Sequence, residues 1–134
     1  MNTIRLARSV DRALDFYGAS LEALDDPGLY QRLWDDVIAA GFTLVMPPQF
    51  HRFEGGGTGI SFLAMLTESH AAIHTAPEKE GCLEITIHTC EVEGVVPEKT
   101  PAEKTESLVQ IWKDRFKPAR VVSFDDRVRA DRVA

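Results

Sequence analysis

The stretch Leu83-Glu84-Ile85-Thr86-Ile87-His88-Thr89-Cys90 constrains the fold of this chain more than any other. Leu83, Ile85 and Ile87 alternate with Glu84, Thr86 and His88, the period-two pattern of a strand with one face in a core and the other outside it. Ile60 to Leu66 reads as a more apolar strand, and Leu14 and Phe16 at alternate positions suit a first strand leading to a turn near Gly18. Phe42 to Met46 reads as a buried strand stopped by Pro47-Pro48, Phe50 to Phe53 as a short strand resumed after it, and Ala119 to Phe124 as a closing strand.

Two helices fall between these strands. Asp26 can cap the first, with Pro27 at its first position, Leu29, Leu33, Val37 and Ala40 on one apolar face, Trp34 and Ile38 alongside, and Gly41 at its end. Thr100-Pro101-Ala102-Glu103 has the form of a capping box and opens a helix through about Phe116, with Leu108, Ile111 and Trp112 turned inward. The turns are too short for repeated crossovers. The expected fold is therefore α+β, a two-layer sandwich with helices packed on one face of a mainly antiparallel sheet. All 134 residues form one domain in this reading, and the charged tail Asp125 to Ala134 is expected to be mobile.

A hydrophobic content of 44% with 8% aromatic residues supports one modest core that can lean on a partner. A net charge of -6 argues against nucleic acid or anionic lipid as the main partner and tolerates a cationic substrate. No apolar run approaches the roughly 20 residues of a membrane span, and Met1 to Arg8 lacks the apolar core of a signal peptide. A cytoplasmic protein is expected. Cys82 and Cys90 fit opposite ends of one strand, roughly 26 Å apart against the 7 Å or so a disulfide allows, so both are read as free thiols.

Glu68-Ser69-His70-Ala71-Ala72-Ile73-His74-Thr75-Ala76-Pro77-Glu78 places a hydroxyl, two imidazoles and two carboxylates within eleven residues. A serine hydroxyl is a weak nucleophile unless a base or a strained carbonyl assists it, and the nearest carbonyl is that of Glu68. His70 and His74 would suit zinc on a helix, but β-branched Ile73 and Thr75 and the nearby Pro77 favour an extended segment. The two rings would then lie roughly 13 Å apart, and no metal is expected. The run Gly55-Gly56-Gly57-Thr58-Gly59 has no Lys-Ser/Thr after it and reads as a tight turn, not a phosphate loop. Taken singly, Ser61, Ser69 and Cys90 are unremarkable, and the groups alone leave the function open.

Their combination is more specific. Glu68-Ser69-His70, His74-Thr75-x-Pro77-Glu78 and Thr89-Cys90 resemble, in order and nearly in spacing, the prokaryotic S-adenosylmethionine decarboxylase proenzymes. Phe50-His51-Arg52-Phe53, Gly59-Ile60-Ser61, Asp15-Phe16-Tyr17 and Leu24-Asp25-Asp26 extend the resemblance to about Phe124. It implies a self-processing, pyruvoyl-dependent decarboxylase of polyamine biosynthesis. Ser69 Oγ would attack the Glu68 carbonyl, and elimination and hydrolysis would convert Ser69 into an amino-terminal pyruvoyl group. The pyruvoyl carbonyl would then take the substrate amine as a Schiff base while carbon dioxide leaves.

The same resemblance assigns His74 and Ser61 to processing, Cys90 to proton donation at the substrate Cα, and Glu78 to the substrate's ribose hydroxyls. The assembly it implies is a homodimer of cleaved protomers. Departures fall on recognition: Ala76 replaces an aromatic residue, Val10-Asp11-Arg12 stands where Gly-Arg-His is usual, and Thr86 replaces an Asp. The glycine turn and the loop after Glu78 are also longer. Phe53 is a candidate to stack on the substrate in place of the missing ring. L-Arginine or L-ornithine, whose distal cation Glu80 and Glu84 could face, is the alternative to S-adenosylmethionine, and a non-catalytic regulatory relative is the third reading.

Overall fold

In chain order the elements are β1 (Leu6–Tyr17), α1 (Leu21–Leu24), α2 (Leu29–Ala39), β2 (Gln49–Arg52), β3 (Ile60–Leu66), β4 (Ser69–Thr75), β5 (Leu83–Cys90), α3 (Pro101–Phe116), β6 (Arg120–Ser123) and β7 (Arg127–Val133). This computed structural model describes residues 6–53, 59–75, 81–91, 99–124 and 127–133, with the backbone alone at 6–8 and 127–133. The sheet runs β2-β3-β4-β5-β1-β6, and β7 pairs with β1 as well. Every pairing is antiparallel.

The pleat separates two faces. Leu14 and Phe16 of β1, Ile60, Phe62, Ala64 and Leu66 of β3, Ala71 and Ile73 of β4, and Leu83, Ile85 and Ile87 of β5 are all buried. They pack under α2 and α3, whose Leu29, Leu33, Val37, Leu108, Val109, Trp112 and Phe116 complete the same core. The helix side is thus a two-layer α+β sandwich, as the strand alternation requires. On the opposite face of β3, Leu63 and Met65 stay about half exposed, at 47% and 50%.

β3, β5 and α3 begin and end where the sequence placed them. Thr100 caps α3 through the expected box: its side chain accepts from Glu103 N–H, and the Glu103 carboxylate accepts from Thr100 N–H. The first helix starts later than its capping signal indicates. Asp26 Oδ1 accepts from Gly28 N–H at 2.8 Å in an Asx turn, so Gly28 is the N-cap and Leu29 the first helical residue. That bond, then Arg32, holds the Asp26 carboxyl below its usual range. Ile38 is exposed, whereas Asp36 is buried beside Val37 and accepts two bonds from Arg115 of α3 at 2.6 and 2.7 Å.

One expectation fails outright. Phe42 to Met46 is no strand but a single bridge, Leu44 to Leu66: Phe42 turns into the core after Gly41 (φ 105°), and Pro47-Pro48 ends the pairing at once. In the tail, 127–133 forms β7 along β1, a strand that the sequence does not announce. β6 covers only Leu14 to Tyr17 of that edge, which leaves the earlier backbone groups of β1 to be paired, and β7 pairs them.

Candidate active site

The β3–β4 hairpin turns in two residues, Thr67 and Glu68, between Leu66 and Ser69, which face each other in the ladder. Glu68 is fixed at both ends. Its carboxylate is buried, paired with Lys104 Nζ of α3 at 2.9 Å and accepting from Thr43 N–H at 3.2 Å. Its carbonyl oxygen accepts from Cys90 N–H at 2.8 Å and from the Cys90 thiol at 3.2 Å. The next residue absorbs the turn: Ser69 has φ 141°, a region that costs a side-chain-bearing residue about 1–3 kcal/mol. Strain and a polarised carbonyl thus meet at one peptide bond.

The helix-free face carries the other groups. Ser61 and His74 are opposed in the β3–β4 ladder, and Ser61 Oγ lies 2.5 Å from His74 Nδ1. Phe53 stands edge-on to His74, centroids 6.0 Å apart, and edge-on to His51 at 4.6 Å. At the other end of β4, Ser69 Oγ lies 3.1 Å from His70 Nδ1, and Cys90 closes β5. Ser69 and His74 are five residues apart on one strand, or about 16 Å. The structure therefore joins Glu68, Ser69 and Cys90 into one cluster and Ser61, His74 and Phe53 into another.

Glu78, Ala76 and Glu80, together with most of the glycine turn, lie outside the described residues. Glu84 is exposed on the helix-free face. Cys82 is buried and Cys90 half-buried, both as free thiols. Among the described residues no three or more His, Cys, Asp or Glu side chains are grouped to hold a metal ion, and no helix is long and apolar enough to cross a membrane.

Four residues near these clusters carried no sequence signal. Lys104 reaches Glu68 from a helix 36 positions away. Asp11 and His88 form a pair across the β1–β5 ladder. Ser9, opposite Cys90 in that ladder, is fully buried, and its hydroxyl has no hydrogen-bond partner among the described residues. Only strand register and the placement of α3 could have revealed them, and both are set by the whole fold.

The family model for S-adenosylmethionine decarboxylase matches residues 11–127, a span that includes both clusters. The chain belongs to that family. The S-adenosylmethionine decarboxylase proenzyme of Methanococcus vannielii is 40% identical over 91 residues, which cover 67% of this chain and 70% of the relative. A proenzyme of the same name from Methanococcus maripaludis strain C7 matches with the same identity and coverage. The crystal structure of the adenosylmethionine decarboxylase from Aquifex aeolicus VF5 superposes with a TM-score of 0.67 over 98% of this chain and 95% of that one, at 20% identity. The S-adenosylmethionine decarboxylase family thus accounts for the sequence, and the architecture is shared even where identity is low.

Proposed function

We propose that this chain cleaves itself between Glu68 and Ser69 and then acts as a pyruvoyl-dependent decarboxylase of polyamine biosynthesis, with S-adenosylmethionine as substrate. The observation that carries the reading is the Glu68 carbonyl, gripped by the Cys90 N–H and thiol one bond before a strained serine. Donors aimed at a carbonyl oxygen stabilise the oxyanion that forms when a hydroxyl adds to its carbon. Ser69 fits as the precursor of the cofactor, because relief of its φ favours the new ester over the amide. A pyruvoyl group at this position supplies a carbonyl that withdraws electrons from the substrate Cα as the carboxylate departs.

Cys90 remains beside that position throughout. Its thiol, released from the Glu68 carbonyl, is the acid that returns a proton to Cα. Ser61 and His74 are held to each other by a short bond across the β3–β4 ladder, but His74 lies about 16 Å from Ser69 along β4, too far to act on it within one chain. A second copy laid against the helix-free face supplies them. Exposed Leu63 and Met65 give that face the apolar area for a homodimer, and Phe53, beside His74, arrives with it to stack on the substrate's base. The functional unit is then a dimer of cleaved protomers with shared sites, and Glu78 is assigned to the ribose.

Denaturing intact mass tests the first step. Two fragments of nearly equal mass are expected, and a single 14.9 kDa species after long incubation refutes the reading. Ser69→Ala should abolish the split. Release of carbon dioxide from S-adenosylmethionine, measured beside arginine and ornithine, tests the substrate; release from a basic amino acid alone reassigns it, and inertness toward all three refutes it. Coexpressed Ser69→Ala and His74→Ala chains should restore cleavage that His74→Ala lacks alone, because mixed dimers hold one complete site. Without that rescue the shared site fails.

A further inference from the structure

His70, His88 and Asp11 are left over from the chemistry assigned above, yet they form one row across the helix-free face. Asp11 faces His88 in the β1–β5 ladder, and His88 faces His70 in the β4–β5 ladder. The two imidazoles are stacked, with centroids 5.6 Å apart and planes 25° from parallel, and His88 Nδ1 is bonded to Asp11 Oδ1. Successive side chains of a regular strand point to opposite faces, so Ser69 and His70 should not meet. Ser69 departs from strand geometry at φ 141°, and its Oγ lies 3.1 Å from His70 Nδ1.

We propose that His70 is the general base of the self-cleavage and that His88 and Asp11 are positioning residues for its ring. The proposal rests on the Glu68–Ser69 bond being the cleavage junction. With its own proton on Nε2, the His70 ring presents Nδ1 as an acceptor to the Ser69 hydroxyl. As the Oγ lone pair adds to the Glu68 carbonyl carbon, the Oγ proton passes to His70 Nδ1, and the carbonyl π pair moves to the oxygen held by Cys90. The oxyanion then collapses: the C=O bond re-forms, the C–N bond of the old amide breaks, and the proton on Nδ1 is returned to the departing Ser69 nitrogen. An ester replaces the amide, with atoms and charge conserved.

Within one chain His74 cannot serve here, because it lies at the far end of the strand with its Nδ1 bonded to Ser61. His88 is no second base for Ser69. It offers His70 a face rather than a proton, and its own nitrogen is tied to Asp11, so its contribution is to hold the neighbouring ring in plane.

The test follows newly synthesised full-length chains from a cell-free reaction by denaturing mass over time. His70→Ala should slow the split by about 10²–10⁴-fold, the range for loss of a general base, and added imidazole should recover part of the rate. The exposed position of His70 makes folding loss a small risk, and His70→Gln provides a second variant of similar size. His88→Phe, which keeps a stacking ring, should cleave within about threefold of wild type, while His88→Ala falls further, by about tenfold. Wild-type cleavage alongside an equally fast His70→Ala overturns the base, as does a slow His70→Ala and His70→Gln pair unmoved by imidazole. Failure of the wild type itself is a different result and removes the junction.

Discussion

The two faces of the sheet divide the labour of the molecule. Beneath α2 and α3 the buried side chains are mostly aliphatic or aromatic, and they determine how the chain folds. On the other face Ser61, His70, His74, His88 and Cys90 sit half-buried or exposed, held by hydrogen bonds and ring contacts, and they are the groups to which the proposed chemistry is assigned. One strand serves both. Ile73 and His74 are neighbours in β4, and the pleat alone sends one into the core and the other to the helix-free face. Substitutions on the two faces should therefore separate cleanly in what they damage.

The largest separation is expected at Cys90. Cys90→Ala should lower decarboxylation per processed subunit by about 10²–10⁴-fold while leaving the melting temperature close to wild type; a large drop in stability would contradict the division. Trp112→Ala is the mirror case. It opens a cavity in the buried face and should cost about 3–5 kcal/mol in denaturant unfolding, with turnover per correctly folded, processed subunit unchanged.

Lys104 tests the place where the two faces communicate. Lys104→Met strands the Glu68 carboxylate in a buried site, so it should cost about 3–5 kcal/mol and also retard cleavage, whereas Glu68→Gln combined with Lys104→Met should recover much of the stability. Equal stability of the single and double variants would show that the pair contributes nothing. The smallest effect belongs to Leu63→Ser on the helix-free face, within about 0.5 kcal/mol for a single subunit. Analytical ultracentrifugation should nevertheless show a weaker dimer, and an unchanged dimer would move the interface elsewhere.

Much of the fold was legible because its signals are local. The alternation in β5, the apolar run of β3 and the capping box of α3 each lie within a few residues, and each marks its element's limits. The start of α2 was misplaced because Asp26 forms an Asx turn two residues ahead of the helix instead of capping it. β7 was missed because nothing in a charged tail reveals that a distant edge is unpaired.

The site divides the same way. Ser69, His74 and Cys90 could be picked out through resemblance, but their separation into two clusters depends on strand direction and length. Lys104 behind Glu68, and Asp11 beside His88, are products of register and helix placement. No window of sequence contains both members of either pair.

The strand order has one more consequence. A break between Glu68 and Ser69 assigns β1, β2 and β3 to one fragment and β4 through β7 to the other, while the sheet reads β2-β3-β4-β5-β1-β6. The pieces are threaded through each other: β4 and β5 are wedged between β3 and β1, and β1 is clasped between β5 and the β6–β7 edge. Neither can leave without tearing several ladders at once. Before the break, each subunit can refold from a single chain. Afterwards reassembly of even one subunit is second order, and dilution acts against the subunit itself as well as against its pairing with a second copy.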